Sequence, residues 1–404
     1  MAKLYLAFLL HFNQPINQDR EVLREISNEC YRPVFGLFND DLDAKFSISI
    51  TDSLLSLFKE EGMEKETIDQ LSMARQKGNI EVLHTGAYYP ILPLLDPGEI
   101  RRQIEVDIDF KKKDLAVDAL SGFFPPELCC DDNLIEILRQ QGFKWTILDD
   151  QLFEQNGIAI PEHEISCAGG LHVFARSSFW SNILSQGGPR GRDFVRQMDL
   201  ERRERTRDYY KIIALAGETF GHRHRLFHRV FFEEMFNELQ SHDNIKSCQV
   251  SDLLCIPSLS KRKVVSRTDG AFRYFPASSW ATTPKNAARG DPYPHWKSRG
   301  NPIHEKLWEL SDLIQTCCRG VDFTDQKYKR LRDLLDPAFY SLQYFWASIH
   351  YWNSGLIYKG IDLQMRALYE YCDVIGNNEA LETGQRIYTQ LLREIQGRDR
   401  LEAT

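Results

Sequence analysis

The sequence predicts an α/β fold, a distorted parallel β/α barrel followed by a helical C-terminal domain. Three observations carry this reading. Short apolar runs alternate with helical runs from residue 4 to about residue 240, the rhythm of parallel strands with crossover helices. The strand-like runs end in polar groups, at His11 to Gln14, His84, Glu127 and Glu218 to His222, and the C-terminal strand ends are where barrels place chemistry. The last hundred residues show only amphipathic helical patterns, at Ile303–Cys317, Ala338–Trp352, Leu363–Gly376 and Gly384–Gln396. The expected division is a barrel domain over 1–265, a connecting segment over 266–302 and a helical domain over 303–404.

Taken in order, Leu4–Phe12 is a buried first strand. It imitates a signal-peptide core, but no small-residue cleavage site follows it. HFNQP (His11–Pro15) turns polar, as a strand-end loop should. Glu21–Phe38 reads as a helix broken near Pro33. Lys45–Ile50 is the second strand, ending at Thr51-Asp52. Ser53–Glu60 and Lys65–Lys77 are helical, and Gly78 closes the second of them. Ile80–Leu83 is the third strand, followed by the loop HTGAYYPILPLL (His84–Leu95) and a charged helix, Glu99–Leu115.

The central stretch is Gly122–Asp150. It opens with Phe123-Phe124, Pro125-Pro126 and one carboxylate, Glu127. A helix follows, with Leu134, Ile135, Ile137 and Leu138 on one stripe and Gly142 as its stop. The strand Phe143–Leu148 then ends in Asp149-Asp150. Periodicity weakens from Leu171 to Arg207, where Gln186–Asp193 (QGGPRGRD) reads as a Gly-rich basic loop. Tyr210–Leu215 is a buried strand ending in AGETFGHRH, and Phe231–Leu239 is helical. Cys255–Asn301 reads as a long connection.

Composition narrows the function. The net charge of −8 argues against a nucleic-acid surface. Nine cysteines without metal-ligand spacing argue for reduced thiols in a cytoplasm, with no structural zinc and no disulfide. No run approaches the about 18 apolar residues of a membrane span. Aromatics at 12% suit a sugar-stacking cleft and equally a large core. The residues themselves leave alternatives. Glu127 fits a helix-capping acid as well as a catalytic carboxylate. His11 and His84 fit satisfied core histidines, and Asp149-Asp150 fit helix caps. The histidines of GHRHRLFH (Gly221–His228) lack the Cys or Asp partners of a zinc site. Trp280, Trp296 and Trp308 fit packing as well as stacking.

The ordered strand-end loops resemble the motifs of glycoside hydrolase family 57, the α-amylase and 4-α-glucanotransferase group. HFNQP resembles its first motif, His-x-His-Gln-Pro, with Asn13 in place of the second His. GNIEVLHTGAYYPILPLL (Gly78–Leu95) resembles the second. GFFPPE places Glu127 at the nucleophile position of the third. AGETFGH keeps Gly217, Glu218, Phe220, Gly221 and His222 of the fourth, and SSWAT (Ser278–Thr282) resembles the region closing the cleft. The resemblance implies a seven-stranded distorted barrel and a retaining reaction on α-glucans or oligosaccharides, with no cofactor. It implies Glu127 as nucleophile, and His11, Gln14, His84, Tyr88, Asp150, His222 and Trp280 along the sugar cleft.

One position departs from the family. Where the fourth motif carries the general acid/base Asp, this chain has Ala216. Retaining glycosidases need two carboxyl groups about 5–5.5 Å apart, and Ala donates no proton. Glu218, two residues on, shares the face of Ala216 in an extended segment but sits about 6–7 Å further along. It is one candidate for the missing role, and Asp149 or Asp150 on a neighbouring strand is the other. Two other readings follow. One is a catalytically silent glucan-binding or regulatory homologue. The other is metal-dependent deacetylase or mannosidase-like chemistry through His11, Asp52, His84 and His222.

Overall fold

A computed structural model describes residues 2–40, 44–155, 157–263 and 274–402. It divides into two compact units, 1–87 with 104–280, and 88–103 with 281–404. Residues 88–103, read from the sequence as barrel, group with the helical part. Of the connecting segment, residues 266–273 lie outside the described residues.

Among the described residues the first unit has ten strands: β1 (Leu4–Phe12), β2 (Phe46–Ile50), β3 (Ile80–Leu83), β4 (Gly122–Phe123), β5 (Trp145–Asp149), β6 (Glu164–Ala168), β7 (Leu171–Arg176), β8 (Tyr209–Ala216), β9 (Ile245–Cys248) and β10 (Ser260–Lys263). Seven of them close a parallel ring. β1 pairs with β2, β2 with β3, β4 with β5, β5 with β7, β7 with β8 and β8 with β1. Two joints are thin: β3 meets β4 through the single bridge His84↔Phe123, and β7 meets β8 at Arg176↔Ile212 alone. The expected distorted seven-stranded barrel is therefore present, and these two joints are its distortion. β9 runs beside Leu4–Ala7 of β1, below the stretch that pairs with β2. β6 lies antiparallel to β7, with β10 beyond it, outside the ring.

Alternation along each strand sorts side chains between lumen and helical layer. Phe8, Leu10 and Phe12 of β1, Phe46, Ile48 and Ile50 of β2, and Ile80 and Val82 of β3 belong to the outer apolar cluster with helix residues Phe35, Phe58, Phe231 and Phe232. Phe232 meets the rings of Phe8 and Phe46 edge-on there, at 5.4 and 5.0 Å. Residues of the other parity fill the lumen. Trp145, Phe174 and Tyr210 stack edge to face at 5.5 and 5.6 Å, and the Trp145 indole donates to Ser251 Oγ at 2.8 Å. This lumen is a packed core and not a pore.

Gly122 is required by that packing. A Cβ placed there would overlap the Trp145 ring. Gly122→Ala is therefore expected to destabilise the first unit by about 1–3 kcal/mol or more, as overpacked cores do. Chemical denaturation reads this as a lower midpoint at unchanged slope; an unchanged midpoint contradicts it.

Several elements differ from their sequence-based expectation. The helix read as broken at Pro33 runs from Arg20 to Leu37, with a π turn at Ser27–Tyr31 taking up the irregularity just before the proline. The basic loop at Gln186–Asp193 gives way at Gly191 to a helix, Gly191–Arg203, whose first residue lies against the Phe231 carbonyl. In the second unit, Ala338–Trp352 is not one helix. Lys329–Ala338 ends after Pro337, Tyr340 bridges to Pro90, and a single turn follows at Leu342–Phe345. The long helices of this unit are Pro302–Cys318, Ser354–Ile375 and Asn378–Glu402. No helix among the described residues is long and apolar enough to cross a membrane.

Candidate active site

The site is built at the C-terminal end of β4. Gly122 and Phe123 are the only β4 residues, and Pro125-Pro126 then force the chain into one 3₁₀ turn, Pro126–Leu128. Within it Glu127 and Leu128 both adopt left-handed backbone, at φ 57° and 52°. Such a conformation costs a non-glycine residue of order 1–3 kcal/mol and is kept where surrounding structure enforces it. Here the enforcement is visible. Leu128 and Cys129 amides close back on Pro125 and Pro126 carbonyls, and Cys130 exchanges two 2.9 Å backbone bonds with Ser278. The segment at Ser278 thus holds the turn from the far side and delivers Trp280.

Trp280 donates its indole N–H to Glu127 Oε2 at 2.6 Å. Burial pushes the Glu127 carboxyl up to about 7, against the Trp280 hydrogen bond and the charge of Arg223, which both favour the anion. His11, on the lumen face of β1, stacks on Phe124 at 5.1 Å and 19°. Burial, with Arg223 and Arg176 nearby, lowers its pKa to about 3, so its imidazole is neutral. His11 is also the register partner of Ala216 on β8. Ala216, His11, Phe124 and Glu127 therefore follow one another across the barrel mouth, and the side chain at 216 is a methyl group.

Glu218 is occupied elsewhere. It accepts from the Tyr31 hydroxyl at 2.7 Å and from the Asn13 amide at 3.4 Å, and burial raises its pKa. Gln14 donates to the same hydroxyl at 2.9 Å and accepts from Gln18 at 2.7 Å. Gln14 and Glu218 are thus brought together through Tyr31, a residue that sequence reasoning missed. No residue pattern marks it; it lies in the π turn, a feature that periodicity does not reveal.

Three other expected cleft residues are committed to different partners. His84 has the parity of Ile80 and Val82, so its ring faces the helical layer. There its Nδ1 meets Asp107 on the helix Pro97–Leu115 at 2.7 Å, and Asp107 also pairs with Lys111. Asp52 lies in the same charged layer, beside Asp107 and Lys111, where burial raises its carboxyl well above the usual range. Asp150 accepts from the Ser178 amide at 3.1 Å, at the start of the helix Ser178–Ser185. His222 is exposed on its loop, with Nδ1 at 2.8 Å from Glu29. Tyr88 belongs to the second unit. His11, Asp52, His84 and His222 consequently form no common donor set, and no group of three or more His, Cys, Asp or Glu among the described residues could hold a metal ion.

Asp149 and Arg176 complete the lumen rim. They are register partners at the ends of β5 and β7, paired at 2.5 Å, and Arg176 also donates to the Ala214 carbonyl at 2.7 Å. Burial lifts Asp149 to about 6 against the pull of Arg176. A lone Arg ending the apolar run LHVFAR was the signal that could have found this pair.

The arrangement sets a pH dependence. Only the ionised carboxylate of Glu127 can attack carbon, so any reaction it performs as nucleophile should rise with pH through about 7 and then level off. Trp280→Phe removes a hydrogen bond that favours the anion, so the midpoint should move upward. A pH–rate profile on an activated glycoside measures both, and a midpoint unmoved by Trp280→Phe contradicts the assignment.

The sequence profile of glycosyl hydrolase family 57 matches residues 12–266. A 4-alpha-glucanotransferase of Thermococcus litoralis is 26% identical over 162 residues, which cover 40% of this chain and 24% of that protein. An alpha-amylase of Pyrococcus abyssi is 26% identical over 159 residues, covering 39% and 24%. The chain thus aligns with about a quarter of the length of these relatives. Among solved structures, a GH57-type branching enzyme from Pyrococcus horikoshii superposes with a TM-score of 0.69 at 15% identity, covering 98% of this chain and 94% of the other. The Thermococcus litoralis glucanotransferase superposes at 0.68 with 19% identity, covering 90% and 59%. At these identities the superpositions speak to the fold alone.

Proposed function

The chain belongs to glycosyl hydrolase family 57, and from that premise we propose that it acts on α-glucans, with Glu127 as a nucleophile that lacks a proton-donating partner. The observation that carries this reading is the Glu127 turn. A half-buried carboxylate sits on enforced left-handed backbone at a barrel strand end and is gripped by Trp280, while the mouth opposite presents the methyl group of Ala216. Strain of this kind persists where geometry is put to use. His11, Phe124 and Trp280 would line the sugar-binding mouth. Gln14, Tyr31 and Glu218 support it from behind, and His84 and Asp150 hold the surrounding framework. The scattered cysteines keep the cytoplasm as the compartment of this reading.

The chemistry follows from what is missing. Carboxylate attack on the anomeric carbon breaks the bond to the leaving oxygen, which departs with the electron pair. An alkoxide of glucan needs a proton at that moment; fluoride or a nitrophenolate does not. The enzyme should therefore form a glucosyl ester on Glu127 from an activated donor and turn over unactivated maltooligosaccharide poorly. Comparing α-glucosyl fluoride with maltooligosaccharide on one preparation tests this. Brisk glucan hydrolysis abolished by Glu218→Gln would transfer the acid role to Glu218. Glucan binding without any reaction of the fluoride would make the protein a silent binding homologue.

A further inference from the structure

The second unit contains a cavity of about 550 Å³ that the proposed chemistry does not use. That size is within the range of small-molecule sites. Leu335 and Phe339 form an apolar wall. Phe323 lies against the Arg332 guanidinium, whose carbon is 4.9 Å from the ring centroid. The Arg332 side chain is only 8% exposed, and it donates to both carboxylate oxygens of Glu99, at 2.7 and 3.0 Å, while pairing with Asp336.

The charges in this lining are compensated pair by pair. Besides Arg332 with Glu99, Arg102 meets Asp336 at 3.3 Å and Arg319 meets Asp96 at 2.8 Å. A cavity so neutralised offers an ion little net field. It does offer hydrogen bonds. The Gln315 carboxamide accepts from the Asp96 amide at 2.8 Å, but its NH₂ reaches only Ser311, at 3.5 Å. A buried donor so weakly paired gains from a ligand hydroxyl or water. Planar amide and guanidinium groups beside an aromatic ring suit a neutral polyhydroxylated ring: its hydroxyls take the donors and its C–H face takes the ring.

We propose that this cavity binds a glucosyl unit of an α-glucan, as a second glucan site separate from Glu127. The inference rests on the α-glucan reading above. Phe323→Ala and Gln315→Ala test it, since both leave the ion pairs intact. The full chain is titrated calorimetrically with maltotriose, and each variant is checked for an unchanged thermal midpoint. In parallel, formation of the glucosyl ester on Glu127 from α-glucosyl fluoride is followed by mass. The expected result is two binding events in the parent protein. In each variant one of them should weaken about tenfold or more, with ester formation unchanged. A single event that neither variant alters, or no binding of maltotriose at all, overturns the second site. Ester formation reports on the Glu127 reading independently: an event lost in Phe323→Ala without any ester would uphold the cavity and overturn the nucleophile.

Discussion

Ala216→Asp is expected to raise turnover of unactivated α-1,4-glucan by about 10²-fold or more, the range that general acid–base help supplies. The substitution places a carboxyl at the lumen end of β8, beside neutral His11 and across the mouth from Glu127. It adds a proton donor for the departing oxygen and a base for the water that follows. Residue 216 is nearly buried, so the new carboxyl should be held partly protonated, as an acid catalyst requires. Activated donors need no such help in the first step, and their ester formation should change little. The diagnostic is therefore the ratio of the two rates, measured on parent and variant. Equal gains on both substrates, or none on glucan, would mean that position 216 does not face the reacting bond.

The second large effect concerns Glu127. Glu127→Gln keeps the side-chain shape but removes the nucleophile, and reaction with α-glucosyl fluoride should fall to the uncatalysed rate. In the parent protein the ester should form and then persist, since no base is present at 216 to activate water. Azide needs no deprotonation. It should capture the ester and release α-glucosyl azide, the same anomer as the donor, because two displacements retain configuration. Fluoride release that continues in Glu127→Gln would remove the carboxylate from the reaction.

Much of this site could be read from residues because local chemistry punctuates it. Gly122, Pro125 and Pro126 isolate Glu127, and Gly142 ends the following helix in left-handed backbone, φ 92°. The strand ends of β1 and β8 were equally plain, and the ladder pairs His11 with Ala216. His84 and Asp52 show where strand-end logic falls short. Both terminate apolar strands, yet both share the parity of outward-facing residues, Ile80 and Val82 for one, Ile48 and Ile50 for the other. Counting parity back along the strand would have turned them toward the helices.

Other features depend on contacts between distant residues. Tyr31 reaches Glu218 across 187 positions, and Ser278 pairs with Cys130 across nearly 150. No window of sequence contains either pair. The helix expected over Ala338–Trp352 failed for the same reason. Its aromatic spacing is helical, but Tyr340 and Ser341 bond to the segment at Tyr89-Pro90, which draws the backbone out of the helix.

The most direct measurement is the mass of the intact protein and of its Glu127 peptide after brief exposure to α-glucosyl fluoride. The account predicts a gain of one glucosyl unit, located on Glu127, persistent in buffer and discharged by azide. A protein that hydrolyses unactivated glucan while carrying no such adduct, or that carries it on another residue, would contradict the assignment of Glu127 as a nucleophile without an acid partner.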